Sequence, residues 1–307
     1  MKTLLKVIGW LLAVTLITLY TFRTPDTDPK AMIAKYGAPP SKFLKLGDGQ
    51  IVHMRDEGPA DAPVLVLLHG SNADLHTWDA WTEAMKDHRR VVRLDLPGFG
   101  LTGPAPDGDY RAVRLARVAS AFLDHLQIPQ ADVAGNSLGG RVAAELVLAH
   151  PQQVRRLILL DAAGLTGHTP PPIFRFAQIP VLNKLLTLIS PRFLVRGNVE
   201  QVYGDPNLVT DELVDRYQAI LLREGNRQAF VDRAMQLAED DGKLLRKIGS
   251  PTLILWGRHD RWIPVEQAEN FRKKLLLPQV KIYENAGHIP HEEIPAESLE
   301  DALKFLR

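Results

Sequence analysis

The chain has 307 residues, 45% hydrophobic and 24% charged, which is enough apolar material for one large α/β domain with insertions or for two small domains. A formal net charge of +1 with no long basic run argues against a nucleic acid partner, which would need clustered Lys and Arg. The absence of cysteine excludes disulfides, thiolate metal sites and a cysteine nucleophile, and it leaves the redox compartment open, so a periplasmic location is permitted.

Leu4 to Phe22 is apolar apart from Lys6 and a few threonines, and about 19 helical residues at ~1.5 Å each span most of a bilayer core. Lys2 and Lys6 lie on its amino-terminal side, so residues 1–23 are expected to form a retained single-pass anchor with the amino terminus in the cytoplasm and the body on the far side. Trp10 and Tyr20 are placed to sit near the two interfaces, and Leu19 to Thr24 lacks a small-x-small cleavage pattern. Residues 24–42 read as a juxtamembrane helix and linker. Asp28 is the N-cap, Pro29 the first turn, Met32, Ile33 and Tyr36 an apolar stripe, and Gly37 the stop. That helix is expected to lie along the membrane or against a second copy.

Phe43–Leu46 and Ile51–Arg55 flank Asp48-Gly49 as a hairpin. Val64–Leu68 is a continuous apolar run, as in a strand buried on both faces of a parallel sheet, and it ends in His69-Gly70-Ser71-Asn72. A helix through Trp78, Trp81 and Met85 follows, then a strand at Val91–Leu94, a tight loop at Asp95-Leu-Pro-Gly-Phe-Gly100, and a helix over 112–126. The strand Ala131–Ala134 turns abruptly at Gly135-Asn136-Ser137-Leu138-Gly139 into another helix, and Leu157–Leu160 is a strand ending at Asp161. This alternation predicts a doubly wound, mostly parallel α/β sheet over 43–163 and 243–307. From 164 to 242 only helical patterns occur, and these predict a lid over the carboxyl ends of the strands. Strands at Pro251–Trp256 and Val280–Tyr283 and helices at 265–275 and 295–306 complete the chain.

The Gly135-x-Ser137-x-Gly139 turn between strand and helix places a serine in strained backbone, with its hydroxyl clear of the sheet. The amide of Leu138 opens the helix, where partial positive charge suits a developing oxyanion. A serine needs a base, and the base needs an orienting group. His288 follows Gly287 past one strand end, and Asp260 lies past another, on the same edge as Ser137. Asp161 competes with Asp260 for the acid role, because either strand end can bring a carboxylate to the histidine. His69 reads as a structural strand-end residue, and His259 and His291 as lining or surface groups.

His69-Gly70, Asp95-x-Pro-Gly-x-Gly100, Gly135-x-Ser-x-Gly139, Gly257-x-x-Asp260 and Gly287-His288 together resemble the α/β-hydrolase superfamily, in the order Ser, Asp, His and across Phe43 to Arg307. The resemblance implies a Ser137–His288–Asp260 triad, an oxyanion hole made by the amides of Ser71 and Leu138, and no metal or organic cofactor. With the anchor included, the chain is similar to membrane-anchored bacterial phospholipases A and monoacylglycerol lipases. That similarity implies a carboxylic ester hydrolase in the bacterial inner membrane with a periplasmic catalytic domain, acting on phospholipid or another acyl ester. It further implies a fatty acid product that inhibits, and homodimerisation through the anchor. Gly-Asn-Ser-Leu-Gly-Gly also resembles carbon–carbon bond hydrolases of ring-cleavage products; a small-ester carboxylesterase and a non-catalytic lipid-binding protein are the other readings. The lid run from Ile173 to Ile189 is more apolar than a solvated helix, and Arg175, Lys184, Arg192 and Arg196 are placed to meet lipid phosphates.

Overall fold

The computed structural model describes residues 2–238 and 241–307; within 2–22 the backbone is described throughout and the side chains only in part. Its strands coincide with the apolar runs: β1 (Lys42–Lys45), β2 (Ile51–Glu57), β3 (Val64–Leu68), β4 (Arg90–Leu94), β5 (Ala131–Asn136), β6 (Val154–Leu160), β7 (Thr252–Gly257) and β8 (Pro278–Tyr283). They form one eight-stranded sheet in the order β1-β2-β4-β3-β5-β6-β7-β8, parallel from β4 to β8, with the β1–β2 hairpin antiparallel at one edge.

Both phases of the central strands are apolar, so both faces must be covered. Leu65 and Leu67 of β3 pack with Ile158, Leu160, Leu253 and Leu255 against Trp78, Trp81 and Met85. Val66, Leu68, Val133, Leu157, Leu159 and Ile254 face the other way, under the helices Ala112–His125, Leu138–Ala149 and Glu266–Lys274. Each buried Leu, Ile or Val contributes about 1.5–3 kcal/mol relative to exposure, so this alternation fixes the register of every central strand.

After β3 the chain passes to β4 on one side and then returns to β5 on the other. The carboxyl ends of β3 and β5 therefore flank a topological switch point, where open α/β sheets bind ligands. Between β6 and β7 the helices Pro172–Ala177, Lys184–Leu188, Arg192–Val202, Asp211–Leu222 and Asn226–Met235 form the cover over that crevice.

The segment after the first helix (Lys2–Phe22) is tied to this cover by backbone hydrogen bonds, from Thr24 N to Leu188 O (2.8 Å), Thr27 N to Leu222 O (2.6 Å) and Glu224 N to Thr27 O (3.0 Å). The helix Pro29–Tyr36 has Asp28 as its cap, accepting from the amides of Lys30 and Ala31. Of its apolar stripe, Met32 is buried against Leu101 and Ile220 of the same chain, while Ile33 is 38% exposed. Among the described residues no helix is long and apolar enough to cross a membrane. The expected anchor falls on Lys2–Phe22, and part of its run, Leu4, Leu5, Ile8, Leu11 and Leu12 included, has side chains outside the described residues.

Candidate active site

Ser137 stands at the end of β5 with φ 51° and ψ −116°, a left-handed conformation that costs a non-glycine residue about 1–3 kcal/mol. The surroundings enforce it: the Ser137 amide donates to Leu160 O (2.9 Å), and its carbonyl accepts from the amides of Arg141 and Ala163 (3.1 and 3.0 Å). The flanking glycines are required by contact. A Cβ on Gly135 would lie 2.3 Å from Gly139 O, and one on Gly139 would lie 2.2 Å from Leu68 O.

The loop after β7 delivers Asp260, whose Oδ1 accepts from the amides of Trp262 and Ile263 (2.8 and 2.9 Å). Its Oδ2 lies 2.7 Å from Nδ1 of His288, which the loop after β8 delivers, and both side chains are buried. A proton on Nδ1 for that carboxylate leaves Nε2 as the acceptor. Nε2 is buried, has no hydrogen-bond partner, and belongs to a histidine that lines the same cavity as Ser137. The structure thus brings Ser137, His288 and Asp260 to one rim of the sheet, with the serine–histidine hydrogen bond not yet made, as is common without substrate.

Two groups with no motif of their own hold the histidine. Asn136 Nδ2 donates to His288 O (2.9 Å) and to Leu160 O (3.2 Å), joining the histidine loop to the serine strand. Glu293, also buried, accepts from the amides of Gly287 (2.7 Å), Gly204 (3.0 Å) and Asp205 (2.8 Å), and His288 N donates to Val202 O (2.7 Å). The histidine loop is therefore fastened to the lid as well as to the sheet. Glu293→Gln replaces one carboxylate oxygen with an amide donor facing amide donors, and it is expected to lower kcat about tenfold and stability by roughly 1–3 kcal/mol, read by initial rates and urea unfolding.

Asp161, the competing carboxylate, is not the hydrogen-bond partner of His288 Nδ1. It is fully buried with φ 45°, and its Oδ1 accepts from Gly257 N (2.9 Å). A carboxyl oxygen of Asp161, one of Asp260 and a ring nitrogen of His288 lie within 4.8 Å of one another. Burial, and then the charge of Asp260, push the Asp161 carboxyl well above the usual carboxylate range. Asp260, which already bonds His288 while Asp161 bonds Gly257, is therefore the better placed orienting acid.

Above this rim lies a cavity of about 210 Å³ with mostly apolar walls, among them Ile173, Leu186, Leu194, Val199 and Phe230 of the lid. Ser71 lines it from the loop after β3, beside Asn72 at φ 58°. Leu138 is the first residue of its helix, so its amide has no acceptor within that helix. Ser71 and Ser137 thus line one cavity, and Leu138 follows Ser137 directly in the chain.

Residues 65–302 match the α/β hydrolase family. The chain belongs to that family. Among its relatives, a 2-hydroxy-6-oxononadienedioate/2-hydroxy-6-oxononatrienedioate hydrolase of Cupriavidus pinatubonensis is 30% identical over 81% of this chain and 89% of its own length. A 2-hydroxymuconate semialdehyde hydrolase of a Pseudomonas species is 29% identical over 73% of this chain and 80% of its own. Among solved structures, a membrane phospholipase A described as a bacterial virulence factor is 27% identical with a TM-score of 0.76, covering 100% of this chain and 98% of its own. The names of the curated relatives favour the carbon–carbon reading over the lipid ester reading.

Other parts of this hydrolase correct the sequence-based expectations. His291 is neither lining nor surface: it is buried and stacks on Trp78 at 4.0 Å, and burial lowers its pKa to about 3. His69 is structural as expected, with Nε2 accepting from Leu96 N (2.9 Å). Asp95 organises the Gly/Pro loop, accepting from the amides of Leu75 and Leu101 and pairing with buried His53 (2.7 Å). Arg192 and Arg196 are already paired with Asp211, and Arg192 also with Asp215, so they are not free cations awaiting lipid phosphates.

Proposed function

We propose that this hydrolase cleaves carboxylic esters of membrane lipids, in a phospholipase A or lysophospholipase type of deacylation. Ser137 is the nucleophile, His288 the base and Asp260 its orienting acid. The observation that carries this reading is the apolar cavity directly over Ser137, walled by a lid that also exposes apolar side chains. Val181, Phe193 and Leu194 are 76, 62 and 49% exposed there, and Leu188 of the same region bonds the chain just after the first helix.

In the first step Ser137 Oγ attacks the ester carbonyl while its proton passes to His288 Nε2; Asp260 stabilises the imidazolium at 2.7 Å. The Ser71 and Leu138 amides take the oxyanion, each worth about 3–4 kcal/mol in the transition state. The imidazolium then protonates the leaving alcohol, and water activated by His288 releases the fatty acid. No step calls for a metal or organic cofactor.

The first helix is proposed as a single-pass anchor in the bacterial inner membrane, with its amino terminus cytoplasmic and the catalytic body periplasmic. Val7, Trp10 and Ile17, at helical spacing, are 51, 71 and 65% exposed, so among the described residues they present one apolar face outward. The phospholipase likeness, which extends over the whole chain, supports the same reading. Dimerisation through this helix and product inhibition by fatty acid accompany the proposal. The native chain has no cysteine, which gives a clean test. In intact spheroplasts Asp61→Cys is expected to react with a membrane-impermeant maleimide and Thr3→Cys only after lysis; the reverse order would refute the topology.

The second reading, hydrolysis of a carbon–carbon bond in a ring-cleavage product, is favoured by the 30% identical curated relative. Lipid analysis of products from the detergent-solubilised enzyme and mixed membrane lipids, with Ser137→Ala as control, decides between them. Release of fatty acid supports the ester reading; inert lipid with turnover of a 2-hydroxy-6-oxo dienoate supports the other.

A further inference from the structure

The cavity wall is apolar apart from a few neutral groups, His288 and a single arginine, Arg227 of the lid helix Asn226–Met235. This guanidinium is 4% exposed. One edge is occupied: Nε and Nη2 donate to Asp26 Oδ1 (3.0 and 2.7 Å), and Nη2 also donates to Thr24 O (2.8 Å). The other is not, because Nη1 is buried with no acceptor. A buried, charged N–H without a partner is costly, and an acceptor inside the cavity would relieve it. Asp26 is 37% exposed, so water screens part of its charge.

A second buried cation reinforces the first. Arg233, on the same helix, is 3% exposed and lies over the rings of Phe99 (5.9 Å) and Phe174 (5.2 Å), and its Nε and Nη2 have no hydrogen-bond partner. Phe174 in turn packs on Phe230 and Trp262 of the cavity wall. Burial lowers the Arg233 pKa to about 10, which leaves it protonated at neutral pH. Two buried guanidinium groups thus lie on one lid helix, Arg227 in the cavity wall and Arg233 behind the Phe174 ring that packs on it.

We infer that Arg227 is the recognition point for an anionic oxygen of the substrate, so that the preferred acyl compound carries a phosphate or carboxylate in addition to its scissile carbonyl. The inference rests on Ser137 being the nucleophile, and it narrows the substrate class within that reading. Because Asp26 and Thr24 belong to the segment leading out of the first helix, the same contact ties the set of that helix to the charge seen by the ligand. A guanidinium whose Nε and Nη2 are held by protein offers its remaining Nη1 amino group in fixed geometry, which an ammonium cannot do.

The test uses the full-length enzyme in detergent with two matched pairs. The first is 1-dodecanoyl lysophosphatidate against 1-dodecanoylglycerol; the second is a monoalkyl ester of a dicarboxylic acid against its dialkyl ester. In Arg227→Gln the anionic-to-neutral ratio of kcat/KM is expected to fall at least tenfold in one pair or both, and the responding pair identifies phosphate or carboxylate as the anion. Arg227→Lys is expected to restore part of the ratio, and Asp26→Asn, which removes the competing carboxylate, to raise it. An unchanged ratio in Arg227→Gln and in Asp26→Asn would overturn the inference. Labelling of the parent by a neutral alkyl fluorophosphonate keeps the two levels apart, since its absence would count against Ser137 as nucleophile. If none of the esters is turned over, dodecyl phosphate should still slow that labelling more than dodecanol does in the parent and not in Arg227→Gln; equal slowing in both proteins would overturn the inference.

Discussion

Replacing Ser137 with alanine is expected to lower kcat on any substrate of this hydrolase by on the order of a million-fold and to abolish labelling by fluorophosphonates, with the fold unchanged. The expectation follows from the backbone. The conformation at φ 51° is imposed by hydrogen bonds to Leu160, Arg141 and Ala163 and by close packing at Gly135 and Gly139, none of which uses the hydroxyl. Alanine therefore keeps the turn and removes only the attacking atom. Retained labelling in Ser137→Ala would place the reactive nucleophile elsewhere.

The second large effect separates two carboxyl groups that share one pocket. Asp260→Asn is expected to reduce kcat by about ten-thousandfold, because an amide in place of Oδ2 cannot hold the Nδ1 proton at 2.7 Å and selects the wrong tautomer. Asp161→Asn is expected to cost no more than about tenfold, because Asp161 does not bond His288 and its burial favours the neutral form that asparagine mimics. The stability of the two variants should also differ with pH. The fold favours protonated Asp161, so its contribution is fully present below the unfolded value near 4 and is lost as pH rises toward the raised folded value, by about 1.4 kcal/mol per pH unit within that window. Asp161→Asn removes this slope. Urea unfolding at pH 5 and pH 8 should then show the variant gaining on the parent at the higher pH. Loss of turnover in Asp161→Asn with survival in Asp260→Asn would reverse the assignment.

Much of this arrangement is legible in the sequence because its signals are local. Unbroken apolar runs mark β3 and β7, the Gly135-x-Ser137-x-Gly139 turn marks the end of β5, and each strand end carries its residue within a few positions. Where charge enters a strand the reading stops short. β6 begins at Val154, three residues before the apolar run, because Arg155 is neutralised by buried Asp132 (2.9 Å) and Arg156 bonds the carbonyl of Arg307 (2.6 Å). Those partners are distant in sequence and leave no pattern. The same holds for Glu293, which gathers amides from residues 204, 205 and 287, and for Asn136, whose acceptor is 152 positions away. Asp161 was visible as a carboxylate at a strand end, but its protonation depends on burial and on Asp260, and both are tertiary. Two lid arginines illustrate the converse: Arg192 and Arg196 resemble part of a lipid-facing patch until Asp211 and Asp215, on the neighbouring helix, are seen to pair with them.

The most direct measurement on the central claim is intact-protein and peptide mass spectrometry of enzyme quenched during turnover of a slowly deacylated lipid ester. The mechanism predicts an adduct of the acyl mass on the peptide containing Ser137, formed by the parent and absent from Ser137→Ala. Turnover with no adduct, or an adduct on any other residue, would contradict it.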